Sequence, residues 1–182
     1  GVPKKLADGK GGWNFAADIS PDGKWAVYGD NNRKLQLVNM ESGSTSEVDE
    51  SEWEIRQYTW SPNSRCIAYT VANKNEFSSI RVYDTQDKSV HNVTDEMWNS
   101  HSPAWDPKGK WLYVISGRYM NPHSSANDWS FIVEDIERIY GLALDTETMS
   151  PYQYTDGDDE DEDKDKDGNG DDENGKSDKK DK

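Results

Sequence analysis

Apolar side chains in this chain come in short runs separated by turn-forming residues, and the runs carry strand rather than helix periodicity. The middle of the chain shows this most plainly. Residues 55–60 predict a strand, and Ser61-Pro62-Asn63-Ser64 turns the chain. Residues 65–70 follow, nearly continuous in apolar character (Cys66, Ile67, Ala68, Tyr69), as expected of a strand covered on both faces. Beyond an Asn-, Lys- and Glu-rich loop at 73–76, Ile80 and Val82 alternate with polar neighbours in a strand over 79–84. Thr85-Gln86-Asp87-Lys88 then turns into an outer strand at 89–93.

The same order recurs on either side. The first unit predicts strands at 15–19, 24–28, 35–39 and 45–48; the third predicts them at 102–105, 110–116, 139–145 and, briefly, near 151–154. Each unit pivots on one signature: Ile19-Ser20-Pro21-Asp22-Gly23-Lys24-Trp25, Trp60-Ser61-Pro62-Asn63-Ser64-Arg65-Cys66 and Trp105-Asp106-Pro107-Lys108-Gly109-Lys110-Trp111. Proline's fixed φ suits the second position of such a turn, and Asp, Asn, Gly and Ser tolerate the remaining angles. Pro21 and Pro62 stand 41 residues apart, Pro62 and Pro107 45. A period in this range, with four short strands per unit, predicts an all-β chain: a partial β-propeller of about three four-stranded antiparallel blades. The blades fall at 13–50, 51–97 and 98–154, and residues 1–12 read as the end of a preceding blade. Between its second and third strands the third blade carries an insertion at 117–138, on the face where ligands usually meet a propeller.

Composition divides the 182 residues in two. Residues 155–182 contain no aromatic or aliphatic side chain, and their 14 Asp and Glu stand against 6 Lys. This stretch reads as a disordered acidic linker. Elsewhere burial falls to a few large side chains: only 32% of the chain is apolar, yet it holds eight Trp and nine Tyr. A net charge of −15 argues against nucleic acid and anionic membrane surfaces. No apolar run is long enough to span a bilayer. Cys66 is the single cysteine, so it forms no intrachain disulfide and leaves the compartment open between cytoplasm and periplasm; it reads as a packed small side chain. The opening Gly-Val-Pro-Lys-Lys-Leu shows no signal-peptide core. Three blades leave two faces bare, so the remaining blades are expected from neighbouring sequence.

Little in the chain points to chemistry. His91, His101 and His123 lack metal-binding spacing, and there is no nucleophile elbow, phosphate-cradling loop or dinucleotide fingerprint. No catalytic residue and no cofactor is therefore assigned. One stretch of the tail has the alternating oxygen ligands of a calcium loop: Asp163, Asp165, Asp167, Asn169 and Asp171. Against that, Asn174 replaces the usual Glu at the last position, Gly170 replaces an aliphatic, and no amphipathic helix flanks it. A solvated linker is the plainer reading of so Asp-rich a segment.

The run Arg56-Gln57-Tyr58-Thr59-Trp60-Ser61-Pro62-Asn63-Ser64-Arg65-Cys66-Ile67-Ala68-Tyr69-Thr70 resembles the propeller of tricorn-type proteases. So do Ser102-Pro103-Ala104-Trp105-Asp106-Pro107-Lys108-Gly109-Lys110-Trp111, the Arg118-Tyr119-Met120-Asn121-Pro122 that opens the insertion, and the closing Ser150-Pro151-Tyr152. The resemblance spans residues 1–154, with Met120 and Cys66 as modest departures. It implies a non-catalytic propeller that channels or filters peptide substrates. Its partners would be further blades, a PDZ-like domain and a serine-peptidase core outside this sequence, in an oligomeric parent. On that reading Arg56 and Arg118 are candidates to meet peptide carboxylates, since guanidinium forks pair with them bidentately. Ion pairing with the many local acids is the competing role for both. Two other expectations stay open: a TolB-like or WD-type interaction propeller, and the propeller of a prolyl-oligopeptidase-type enzyme.

Overall fold

The computed structural model describes Lys5 and residues 12–119, 122–124, 131–133 and 136–150. Every regular element among them is a strand. The contacts separate residues 1–148 from residues 149–182, and the fold described here is that of the first unit.

Its first sheet runs in sequence order through β1 (Asp18–Ile19), β2 (Trp25–Gly29), β3 (Lys34–Asn39) and β4 (Thr45–Glu50). The second repeats it with β5 (Tyr58–Trp60), β6 (Cys66–Ala72), β7 (Ser78–Asp84) and β8 (Ser89–Asn92). The third begins with β9 (Ser100–Trp105) and β10 (Trp111–Ser116). The chain then leaves it for a two-stranded ribbon, β11 (Pro122–Ser124) and β12 (Phe131–Val133), and returns as β13 (Arg138–Ala143) beside β10. All neighbouring strands are antiparallel. Within the expected insertion the described residues include this ribbon, and the strand expected near 151–154 lies outside the described residues.

The proline signature is one hairpin built three times. Ser20 and Ser61 Oγ and Asp106 Oδ1 each accept the amide five residues ahead, from Trp25 (3.0 Å), Cys66 (2.8 Å) and Trp111 (2.7 Å). The amides of Gly23, Ser64 and Gly109 return to the carbonyls of the same three residues. Those three donors all adopt left-handed φ, of 71°, 61° and 67°. Glycine occupies that conformation freely; Ser64 does so at a cost of about 1 kcal/mol. Ser64→Gly is therefore expected to leave stability unchanged or raise it slightly, because Ser64 Oγ also accepts the Asp22 amide at 3.0 Å. A urea midpoint well below wild type would show that this inter-turn bond outweighs the backbone strain.

Alternation along β2, β6 and β10 decides how the sheets stack. Ile67, Tyr69 and Val71 join Val27, Leu35 and Leu37 in a core between the first and second sheets. Ala68 and Ile80 join Leu112 and Val114 in a core between the second and third. β6 therefore feeds two cores with opposite faces, which is why 65–70 reads as nearly continuous apolar sequence. Stacking is close enough that a Cβ on Gly29 would lie 1.9 Å from the Ile55 carbonyl oxygen. Ile55 is buried although it precedes β5, which is shorter than the 55–60 run suggests. Ahead of Tyr58 only Ile55 turns into the inter-sheet core; Arg56 and Gln57 are exposed, and the Gln57 carbonyl still accepts the Thr70 amide at 3.0 Å.

Polar groups also bridge the sheets. The Trp60 indole donates to the Asp18 carbonyl, and the Trp105 indole to the Thr59 carbonyl, each at 3.2 Å. This is one contact repeated at successive sheets. Between the first and second sheets Asp49 accepts from the Tyr69 hydroxyl at 2.8 Å and pairs with Arg81 at 2.9 Å. Burial, and then the Asp49 charge, push the Tyr69 phenol far above its ordinary pKa of 10.0. A raised folded-state pKa means this contribution is complete below 10.0 and is lost as pH rises toward the folded value. Tyr69→Phe should cost about 1 kcal/mol at neutral pH and flatten the alkaline decline in urea midpoint. An unchanged alkaline limb would show that Tyr69 does not govern it.

Candidate functional site

The sheets converge along one edge. β5 touches β1 on one side and β9 on the other, whereas the outer strands β4 and β8 make no comparable contact with each other. Wedges that meet at their first strands and diverge at their last place β1, β5 and β9 on the axis side of a propeller. The Pro turns occupy one end of this edge. The other end carries the inter-sheet connections and the root of the ribbon. Gly117 N donates to Asn99 O at 2.9 Å, which fixes the ribbon root beside the connection from β8 to β9.

Both arginines singled out from sequence lie at this connection end. Arg56, just ahead of β5, stacks its guanidinium 4.5 Å from the Phe15 ring centroid and stands 4.0 Å from Glu54. Arg118, just past β10, donates to Ser116 Oγ at 3.2 Å and pairs with Asp95 at 3.5 Å, over the Tyr140 ring. Each therefore has a local acid at hand. The side chain of Arg56 is 64% exposed and that of Arg118 32%, so Arg56 presents more of its cation to solvent. The calcium-like loop at Asp163, Asp165, Asp167, Asn169 and Asp171 lies outside the described residues.

Sequence reasoning missed the contact that joins the second sheet, the third sheet and the ribbon root. The register of β9 against β10 shifts between Tyr113 and Ile115, and Ser102 within that irregularity has a φ of 54°. The displaced Ser102 amide donates to Gln57 Oε1 at 3.1 Å, and Gln57 Oε1 also accepts from Thr70 Oγ1 at 3.0 Å. Ser102 Oγ lies 3.0 Å from His101 Nδ1, while His101 Nε2 lies 3.1 Å from Glu137 Oε1. A hydroxyl, an imidazole and a carboxylate in sequence have the composition of a hydrolytic triad. Here the Ser102 amide, a natural oxyanion donor, is already committed to Gln57. The group works as a clasp. No signal in the sequence marks it, because it depends on a bulge that places Ser102 opposite Gln57, 45 residues away.

Other titratable groups are similarly committed to the scaffold. Burial raises the Cys66 thiol, which favours its protonated form. The carboxyls of Asp22 and Asp106 are held below their ordinary range, Asp22 chiefly by the Ser20 hydroxyl and Asp106 by the Trp111 amide. Among the described residues no group of three or more His, Cys, Asp or Glu is placed to hold a metal ion.

Comparison with known proteins places this geometry. A family profile described as "Tricorn protease second beta propeller domain" matches residues 1–181. The chain belongs to that family. Among curated relatives, the tricorn protease of Thermoplasma volcanium is 30% identical over 144 residues, 75% of this chain and 14% of the relative. The crystal structure of the tricorn protease superposes with a TM-score of 0.69 at 27% identity, covering 76% of this chain and 14% of that one. This tricorn-family propeller sequence thus spans about 14% of the length of the relatives it matches. A TolB structure from Agrobacterium tumefaciens shares the fold, with a TM-score of 0.54 at 16% identity over 79% of this chain and 50% of that one.

Proposed function

We propose that this chain is a non-catalytic sector of a substrate-sorting propeller in a tricorn-like serine peptidase. The observation that carries the reading is the match of residues 1–181 to tricorn propeller domains. The convergence of β1, β5 and β9 on one edge supports it. Further sheets on both sides would complete a ring around that edge, and a PDZ-like domain and peptidase core would lie elsewhere in the polypeptide. Selection is steric: the channel admits extended chain and excludes folded protein. The nucleophile, base and acid belong to the core. Arg56 stands at the axis-side edge where a passing carboxylate would meet it, and Arg118 flanks the ribbon root. The TolB likeness favours no second reading, since at 16% identity it speaks to the fold alone.

The test uses the full-length polypeptide with Cys66→Ser as background. Arg56→Cys, coupled to a maleimide-linked polymer, places bulk at the channel edge. Hydrolysis of long unstructured peptides should fall several-fold while that of very short peptides is retained. Equal loss for both, or no loss for either, contradicts a channel at this edge. This chain by itself should hydrolyse neither.

A further inference from the structure

On the connection face, large apolar side chains stand in solvent at a recurring position. Trp13 is 82% exposed, Trp53 65% and Met97 71%. They precede Pro21, Pro62 and Pro107 by 8, 9 and 10 residues, so each sits in the segment that leads into the first strand of its sheet. Phe77, in the turn between β6 and β7 on the same face, is also exposed. None of the four belongs to either inter-sheet core. A single exposed aromatic is ordinary in a folded protein. The same exposure in the segments that lead into three successive sheets, on one face, is the mark of a binding surface.

Two carboxylates accompany them. Glu52 and Glu96 line a cleft of about 490 Å³ on this face, and each immediately precedes an exposed apolar side chain, Trp53 and Met97. Arg33 and Arg81, also in the cleft, are already held by Glu50 at 3.6 Å and Asp49 at 2.9 Å. Glu52 and Glu96 have no cationic partner among the described residues, and Lys74 is the cation left to oppose them. Two free carboxylates against one lysine favour an incoming cation. Anionic lipid is disfavoured on the same ground, since Glu52, Glu54, Asp95 and Glu96 flank the apolar groups.

We infer that this face captures extended polypeptide, seating apolar side chains on Trp13, Trp53 and Met97 and receiving an adjacent Lys or Arg side chain at Glu52 and Glu96. The inference rests on the channel reading and adds to it the chemistry of the chain taken at the mouth. Aromatic and methionine surfaces suit varied sequences, because they offer area without demanding one hydrogen-bond pattern. The carboxylates then bias the choice toward basic segments.

The experiment measures fluorescence anisotropy of dye-labelled unstructured peptides on the full-length polypeptide. One peptide alternates Leu with Lys, a second Leu with Glu, and a third Ser with Lys. The Leu/Lys peptide should bind most tightly. Trp53→Ala with Met97→Ala should weaken it about tenfold or more and leave the urea midpoint unchanged, since both side chains are exposed. Glu52→Gln with Glu96→Gln should abolish the advantage of Leu/Lys over Leu/Glu while keeping the advantage over Ser/Lys. Equal binding of all three peptides overturns the inference. So does wild-type affinity in the Trp53/Met97 variant, or stronger association with phospholipid vesicles than with any peptide. Size selection in the polymer-block assay is scored separately. Selection retained without peptide capture ends this inference and leaves the channel standing, whereas capture without selection ends the channel.

Discussion

Gly29→Ala is expected to destabilise the protein by about 3 kcal/mol or more, a large effect for one added methyl group. The new Cβ would lie 1.9 Å from the Ile55 carbonyl oxygen and 3.0 Å from its carbon. Both are backbone atoms, so no side-chain rotation relieves the clash, and the first and second sheets have to separate. Separation would open the core around Val27, Leu35, Ile67 and Tyr69. The control is Gly23→Ala, where φ is 71° and no atom lies within 4 Å of the added methyl group. That change should cost only about 1 kcal/mol of backbone strain. Urea unfolding of the two variants gives the comparison. Equal midpoints would mean that the inter-sheet approach at Gly29 is looser than this packing implies.

Asp49→Ala is expected to cost about 2–3 kcal/mol, because it leaves the Arg81 guanidinium and the Tyr69 hydroxyl without their shared acceptor between the sheets. The side chains of Asp49 and Arg81 are 17% and 22% exposed, which puts the pair between a surface bridge and a fully buried one. Arg65 and Asp84 make a contrasting pair at 2.7 Å, with Arg65 42% exposed and both groups in the same sheet. Arg65→Ala should therefore cost less, within about 1 kcal/mol. Thermal or urea midpoints of the two variants rank them. If Arg65→Ala were the more damaging, the polar bridge between sheets would not be a main contributor to their association.

Much of the fold was legible in the sequence because its determinants are local. The turn at Ser20, Ser61 and Asp106 needs only an oxygen, a proline and a residue tolerant of left-handed φ, and all three stand within one short segment. Strand alternation gave the two-faced packing of β6 for the same reason. Strand lengths were less legible. The runs 15–19 and 55–60 predict full strands, yet β1 and β5 are shorter; ahead of β5 the Ile55 carbonyl lies against Gly29 of the neighbouring sheet. The clasp of Gln57, Ser102, His101 and Glu137 was not legible at all. It arises where a bulge meets the residue just ahead of β5 in another sheet, and neither polar side chain pattern nor spacing announces that. Sequence alone does not separate the exposed Trp13 and Trp53 from Trp60 and Trp105, whose indoles bridge the sheets; their exposure does.

The account depends on these sheets being successive sectors of a larger ring. The third sheet turns Trp111, Tyr113 and Ile115 away from the second sheet, and Ile139 on the same side is 74% exposed. Electron cryo-microscopy of the full-length polypeptide is the direct measurement. A further antiparallel sheet is expected to pack on Trp111, Tyr113 and Ile139, with its first strand beside β9 along the common edge. An intact full-length protein in which that face meets only solvent, or in which β9 is an outermost strand, would contradict it.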